Sequence, residues 1–128
     1  MAALTIRTHK KKEIIDITDE VESLAHNKPD ATLCMLFIKH TTAALTTADL
    51  DPGTDLDMLD AFEVLMPRLD YRHPHNPAHA PDHILSSIIG PSLTIPISNG
   101  ELELGTWQRV IVVELDGPRE REIEVRFV

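Results

Sequence analysis

In the last third of the chain, apolar residues recur at every second position. Between Arg119 and Phe127, Ile123, Val125 and Phe127 fall in one phase, and Glu122, Glu124 and Arg126 in the other. A period of two sends successive side chains to opposite faces of a strand, so this segment demands a sheet with one covered and one wet face. Neighbouring segments carry the same demand. Leu93, Ile95 and Ile97 alternate with Ser92, Thr94 and Pro96, and Trp107 to Leu115 reads as a long strand. Asn99-Gly100 is a hairpin-turn pair leading into Glu101 to Leu104, and Asp116-Gly117-Pro118 joins the last two strands. Pro96 has no N–H to give to a ladder, which predicts an edge position or a bulge.

Upstream the period changes. Leu4 to His9 alternates like an edge strand, with Leu4 and Ile6 on one side. From Asp16, the residues Ile17, Val21, Leu24 and Ala25 share one helical face, with Thr18 and Asp19 as oxygen acceptors near the start. Asn27-Lys28-Pro29-Asp30 terminates that helix. Ala31 to His40 reads as a strand buried on both faces, because Leu33, Met35 and Phe37 interleave with Cys34, Leu36 and Ile38. Asp51-Pro52-Gly53-Thr54 turns into a second helix with Thr54 as N-cap. Met58, Leu59, Phe62, Leu65 and Met66 line one face, and Pro67 stops it. Pro81 suits the start of a short third helix that ends near Gly90-Pro91. Helices and strands in this order predict an α+β fold with a largely antiparallel sheet or sandwich and about three helices.

A length of 128 residues fits one domain spanning 1–128. The longest apolar runs, Leu33 to Ile38 and Val110 to Val113, fall far short of the roughly 20 residues that a bilayer requires, so no membrane partner is expected. The opening Met1-Ala2-Ala3-Leu4-Thr5-Ile6-Arg7 lacks a long apolar leader segment, which makes a cytoplasmic address the expectation. A net charge of −9 argues against nucleic acid as a partner, and Lys10-Lys11-Lys12, the one basic run, reads as a solvated turn. Cys34 stands alone within an apolar run and reads as a small buried hydrophobe.

The strongest chemical signal is the histidine cluster His73, His75, His79 and His83, to which His40 adds a fifth ring at the end of the Ala31 to His40 strand. Neutral imidazole is the commonest protein ligand for zinc, so such a loop reads either as a metal or proton-transfer site or as a Pro-stiffened polar surface loop. The best assembly on physical grounds is His40, His73 and His83 around a divalent metal, zinc or magnesium, with a water in the open position. Candidate catalytic groups are His40, Glu114 and Asp49. Glu114 interrupts an apolar run, and its alternative reading is a strand-end carboxylate in contact with water. Thr41, Thr42, Thr46 and Thr47, beside Asp49 and Asp51, offer hydroxyl and N–H groups to an anion, or else form a turn that satisfies itself locally. Arg72 and Arg119 are candidate cationic contacts, as is Arg109. Trp107, the only tryptophan, and Gln108 either face a pocket or belong to the core. No Walker-type phosphate loop, nucleophile elbow or dinucleotide fingerprint is present.

In their order and spacing, several motifs resemble the YjbQ family of secondary thiamine-phosphate synthase enzymes. They are Lys39-His40-Thr41-Thr42-Ala43-Ala44-Leu45-Thr46, Asp51-Pro52, Tyr71-Arg72-His73, His83 through Gly90-Pro91-Ser92-Leu93-Thr94-Ile95-Pro96, Asn99-Gly100, Gly105-Thr106-Trp107-Gln108 and Asp116-Gly117-Pro118-Arg119. The resemblance implies a compact α+β protein that assembles as a homotrimer, with a polar histidine pocket near the subunit boundary. It favours His40, His73 and His83 over His75 and His79. Three departures stand out. Ala48-Asp49-Leu50 replaces a polar Asn-Glu-Asn segment, Leu85 stands where a lysine is common, and Arg109 stands where a small residue often follows Trp-Gln.

The activity implied is the joining of a pyrimidine diphosphate to a thiazole phosphate, with release of pyrophosphate. A metal-assisted hydrolase of a small phosphorylated or acyl substrate is the second reading, and a non-catalytic trimer that binds a metal or a metabolite is the third. All three take a small molecule as partner, and the first takes a phosphorylated metabolite.

Overall fold

The computed structural model describes residues 2–128; Met1, the first residue of the expected domain, lies outside them. Two antiparallel sheets face each other. The larger has strand order β1 (Ala2–Arg7), β8 (Glu120–Phe127), β3 (Leu33–Ile38), β5 (Ser92–Ser98) and β6 (Glu101–Leu102). The smaller has order β2 (Glu13–Asp16), β7 (Arg109–Glu114) and β4 (Ala43–Ala48). Three helices, α1 (Thr18–Ala25), α2 (Thr54–Leu65) and α3 (Ala80–Ile89), complete the α+β architecture, with a single 3-10 turn at Pro77–His79.

The main core lies between the sheets. Cys34, Leu36 and Ile38 of β3 and Ile123 and Val125 of β8 meet Val110 and Val112 of β7, while Val21 and Ala25 of α1, and Ile17 just before it, pack against the same cluster. A second core forms on the opposite face of the small sheet, where Ile111, Val113 and Leu115 meet Leu85 of α3 and Met58, Phe62 and Met66 along and just beyond α2. β7 is therefore the strand covered on both sides. β3 was expected in that role, but its burial alternates: Leu33, Met35 and Phe37 are 36%, 45% and 46% exposed. Burial pushes the Cys34 thiol up to about 11, as befits a core residue and not a nucleophile.

Local chemistry explains the other departures from the sequence pattern. Gly53, at φ 94°, is the N-cap of α2, so Thr54 lies inside the helix and caps nothing through its side chain. Leu65 is 71% exposed and off the inner face of α2. At α1 the capping acceptor is Asp16, whose Oδ1 accepts from the Thr18 N–H at 3.0 Å and from its hydroxyl at 2.6 Å. The predicted Trp107–Leu115 strand begins only at Arg109, leaving Trp107 in a loop and 72% exposed. β2 and β4 carry too weak a period to be read from sequence. Asn99 and Gly100 both have positive φ, 53° and 76°, as a tight hairpin between β5 and β6 requires. Beyond the two residues of β6, β5 is an effective edge, and the Pro96 carbonyl accepts from Glu103 N–H at 2.9 Å.

Candidate functional site

The loop after β3, the loop between β7 and β8, and the start of α3 converge on a cavity of about 660 Å³. Its wall includes Lys39, His40, Thr41, Thr42, His83, Asp116, Arg119 and Arg121. Gly117 allows the β7–β8 loop to approach. Its N–H donates to Lys11 O at 2.9 Å, and a Cβ there would stand 2.2 Å from Lys10 O.

Arg121 forms the floor. It lies in the inward phase of β8, with Ile123 and Val125, and is 2% exposed. Its Nε donates to Glu114 Oε1 at 2.8 Å, and its Nη2 donates to Glu114 Oε2 and, at 2.9 Å, to Thr42 Oγ1. Glu114 is fully buried. Its remaining acceptor capacity goes to the Thr8 hydroxyl at 2.8 Å and to Asp116 N–H at 3.1 Å. Burial pushes the Glu114 carboxyl up, but the hydrogen bonds from Arg121, Asp116 and Thr8 outweigh it and hold the carboxyl below the usual range. Glu114 is thus a structural anion that fixes Arg121, and it touches neither bulk water nor the cavity wall.

His40 is half-buried, and its Nε2 accepts from Glu122 N–H at 2.9 Å. That bond assigns the proton of the neutral ring to Nδ1. Burial lowers its pKa, with the Arg121 guanidinium next in effect; Glu114 and Glu122 act in the opposite sense, and Arg119 lowers it further. Asp116 is buried too, but Lys11 at 2.8 Å and Arg119 at 3.2 Å hold its carboxyl low against the effect of desolvation. Lys11 and Lys12 are accordingly not a free solvated turn: Lys12 pairs with buried Asp82.

His73 stacks on His83, with ring centroids 4.8 Å apart and planes at 21°, and its buried Nδ1 has no hydrogen-bond partner. Two nearly parallel rings do not aim their lone pairs at one point, and the Nε2 of His40 is already engaged. Among the described residues no three His, Cys, Asp or Glu side chains form a metal-ligating group. His40, His73 and His83, as placed here, therefore do not fit a three-histidine centre for zinc or magnesium.

The remaining candidates lie elsewhere. Thr46 is on β4, paired with Ile111. Asp49 and Trp107 line a separate cleft of about 190 Å³, together with Asp16, Asp51 and Arg109. Gln108 accepts from Gly105 N–H and donates to Thr47 Oγ1 at 3.2 Å, while Arg109 is tied to Asp16 at 2.7 Å. Arg72 is exposed and not among the lining residues of the histidine cavity. Lys39, Asp116 and Pro118, known from sequence only as parts of longer motifs, line it as well, together with Glu120 and Arg121, which were not singled out from sequence. Arg121 could have been found, because an arginine in the inward phase of a strand needs a buried partner.

The family model for UPF0047 protein YjbQ-like matches residues 2–128. A UPF0047 protein of Archaeoglobus fulgidus is 38% identical over 96% of this chain and 97% of its own. The UPF0047 protein YugU of Bacillus subtilis is 35% identical, covering 100% of this chain and 98% of its own. Among solved structures, an uncharacterised YjbQ/UPF0047 protein of Clostridium acetobutylicum superposes with a TM-score of 0.90 at 33% identity over 100% of both chains. A YbjQ-like protein of unknown function from Sulfolobus solfataricus gives a TM-score of 0.91 at 31% identity, over 98% of this chain and 94% of that one.

Proposed function

Because the chain belongs to the YjbQ-like UPF0047 family, we propose that its histidine cavity binds a phosphorylated metabolite and carries out a transfer in which pyrophosphate departs. The observation that carries this reading is the cavity wall. Lys39, Arg119 and Arg121 gather there with His40 and His83, while the two carboxylates of the wall, Asp116 and Glu120, are each held by a cation, Lys11 or Arg7, from outside it, in a chain whose net charge is −9. Cationic groups focused in a cleft of an otherwise acidic protein select an anion.

The reaction is the one the family resemblance implies. The ring nitrogen of a thiazole phosphate attacks the methylene carbon, attached to the pyrimidine ring, that bears the diphosphate. The C–N bond forms as the C–O bond breaks, and the electron pair leaves on pyrophosphate. Lys39 and Arg119 meet the charge that grows on the leaving group, Thr41 supplies a hydroxyl, and His40 holds a proton at Nδ1 for a pyrophosphate oxygen. The hydrolase reading asks Glu114 or Asp49 to accept a proton, but Glu114 is taken up by Arg121, Thr8 and Asp116 and Asp49 lines a different cleft, so the transfer is preferred.

Calorimetry with pyrophosphate tests the binding, and mass spectrometry of a mixture of pyrimidine diphosphate and thiazole phosphate tests the turnover. Pyrophosphate should bind, and Arg119→Ala should weaken it by about tenfold, the effect of one charged hydrogen bond. Absence of binding would sink the proposal. Binding without thiamine phosphate formation would leave the non-catalytic metabolite-binding protein as the function.

Self-assembly belongs to the same proposal. The uncovered outer face of β3 carries Leu33, Met35 and Phe37 in one line, as a strand that a second copy covers would. No helix among the described residues is long and apolar enough to cross a membrane. The homotrimer implied by the resemblance is the expected form. Light scattering should give three times the chain mass for the parent and a smaller species for Phe37→Asp; a monomeric parent would refute it.

A further inference from the structure

A second cavity, of about 470 Å³, lies between α2, the segment that follows it and the start of α3. Its lining residues are all different from those of the histidine cavity, yet the two are neighbours. Asp82 lines one and His83 the other, and Lys11 lines this cavity while its ammonium bonds Asp116 of the other. Its body is apolar: Leu59, Phe62 and Met66 on one side, Pro81, Leu85 and Leu115 on another. The volume falls within the range of small-molecule sites, which combine apolar walls with a few placed polar groups.

The polar group here is the ammonium of Lys12. It donates to the buried Asp82 carboxylate and, at 3.0 Å, to the Leu115 carbonyl. An ammonium carries three donors, so one remains for a ligand. Lys11 and Arg68 also line the cavity, and Arg68 has no ion-pair partner among the described residues. Glu63, on the same lining, opposes a second negative charge. We propose that this cavity is a binding site for a monocarboxylate with an aliphatic or aromatic body. The body fills the apolar wall, and the carboxylate accepts the third donor of Lys12 and faces Arg68, while the Lys11 ammonium stays with Asp116. A monoanion of this shape is a different ligand class from the diphosphate assigned to the histidine cavity.

Isothermal titration of the whole protein with octanoate and with 1-octanol tests the site. Octanoate should bind, with 1-octanol weaker by about tenfold, the effect of a lost charged hydrogen bond. Ala78 is exposed on the cavity rim, so Ala78→Trp fills the space at little cost to the fold and should abolish octanoate binding while pyrophosphate behaves as in the parent. A second variant, Lys12→Met with Asp82→Asn, removes the ammonium without leaving a buried carboxylate unpaired, and should erase the preference for octanoate over 1-octanol. Failure of octanoate to bind, or equal binding by a folded Ala78→Trp protein, would overturn the site. Equal affinity for the acid and the alcohol in the parent would overturn the carboxylate assignment.

Discussion

Glu114 and Arg121 stand on different sheets and meet with side chains 0% and 2% exposed, joined through both carboxylate oxygens. The pair links β7 to β8 beneath the histidine cavity and fixes the guanidinium that, after burial, does most to keep His40 neutral.

Removing one partner leaves the other charge buried and alone. Glu114→Ala should lower unfolding free energy by about 3–5 kcal/mol in a denaturant titration. The Glu114 carboxyl is held below its usual 4.5 in the folded state, so its stabilisation is complete above that value and is lost as pH falls through the lower folded pKa. Acid unfolding of Glu114→Ala should be correspondingly less steep in this range. A change under about 1 kcal/mol would show that the pair is not a structural anchor.

His40 should titrate in the folded protein with a midpoint below its usual 6.5, as followed by the imidazole carbon proton in NMR. A lowered folded pKa means that the unfolded chain takes up the proton first. The stabilisation from neutral His40 is therefore present above 6.5 and declines as pH falls through the folded value. A midpoint above 6.5 would mean that Glu114 and Glu122 dominate its surroundings.

His75 and His79 are absent from the wall of the histidine cavity, whereas His83 belongs to it. Replacing both loop residues by alanine should leave pyrophosphate affinity within about twofold, while His83→Ala should weaken it by about tenfold, in line with loss of one polar contact. Calorimetry reads both, and the reverse order would move the site to the loop.

Gly117→Ala places a methyl group where Lys10 O would be 2.2 Å away, with Thr8 Oγ1 at 2.8 Å. Backbone must move to admit it, so a loss of about 1–3 kcal/mol or more is expected in chemical unfolding, together with weaker pyrophosphate binding from the displaced Arg119 loop. An unchanged midpoint would show that the two loops are not clamped together.

The alternating segments announced β5 and β8 directly, since each carries a period of two over its length. β4 was harder to read. Ala43, Ala44, Thr46 and Thr47 carry little apolar contrast, and only pairing with β7 turns them from a hydroxyl-rich turn into a strand. The Leu33 to Ile38 run is apolar on both faces of β3, but an apolar run cannot say which face the chain itself covers, and only that of Cys34, Leu36 and Ile38 is buried. The histidine site was legible as residue types. Its arrangement was not, because the stacking of His73 on His83 depends on how the loop between them folds, and the bond from Glu122 to His40 joins segments 82 residues apart. Glu114 was visible as an anomaly in an apolar strand. Its partner Arg121 was equally anomalous, but the two belong to different sheets, and no spacing rule connects them.

β7, pressed between the two cores, has no free side along which to relax. A larger side chain at Val112 would push the strand toward α2 and α3, and one at Val113 would push it toward β3 and β8. Either displacement reaches Glu114 at the end of the same strand and, through it, the guanidinium under the histidine cavity. Changes in the packing of helices that never touch the anion can in this way retune how tightly it is held.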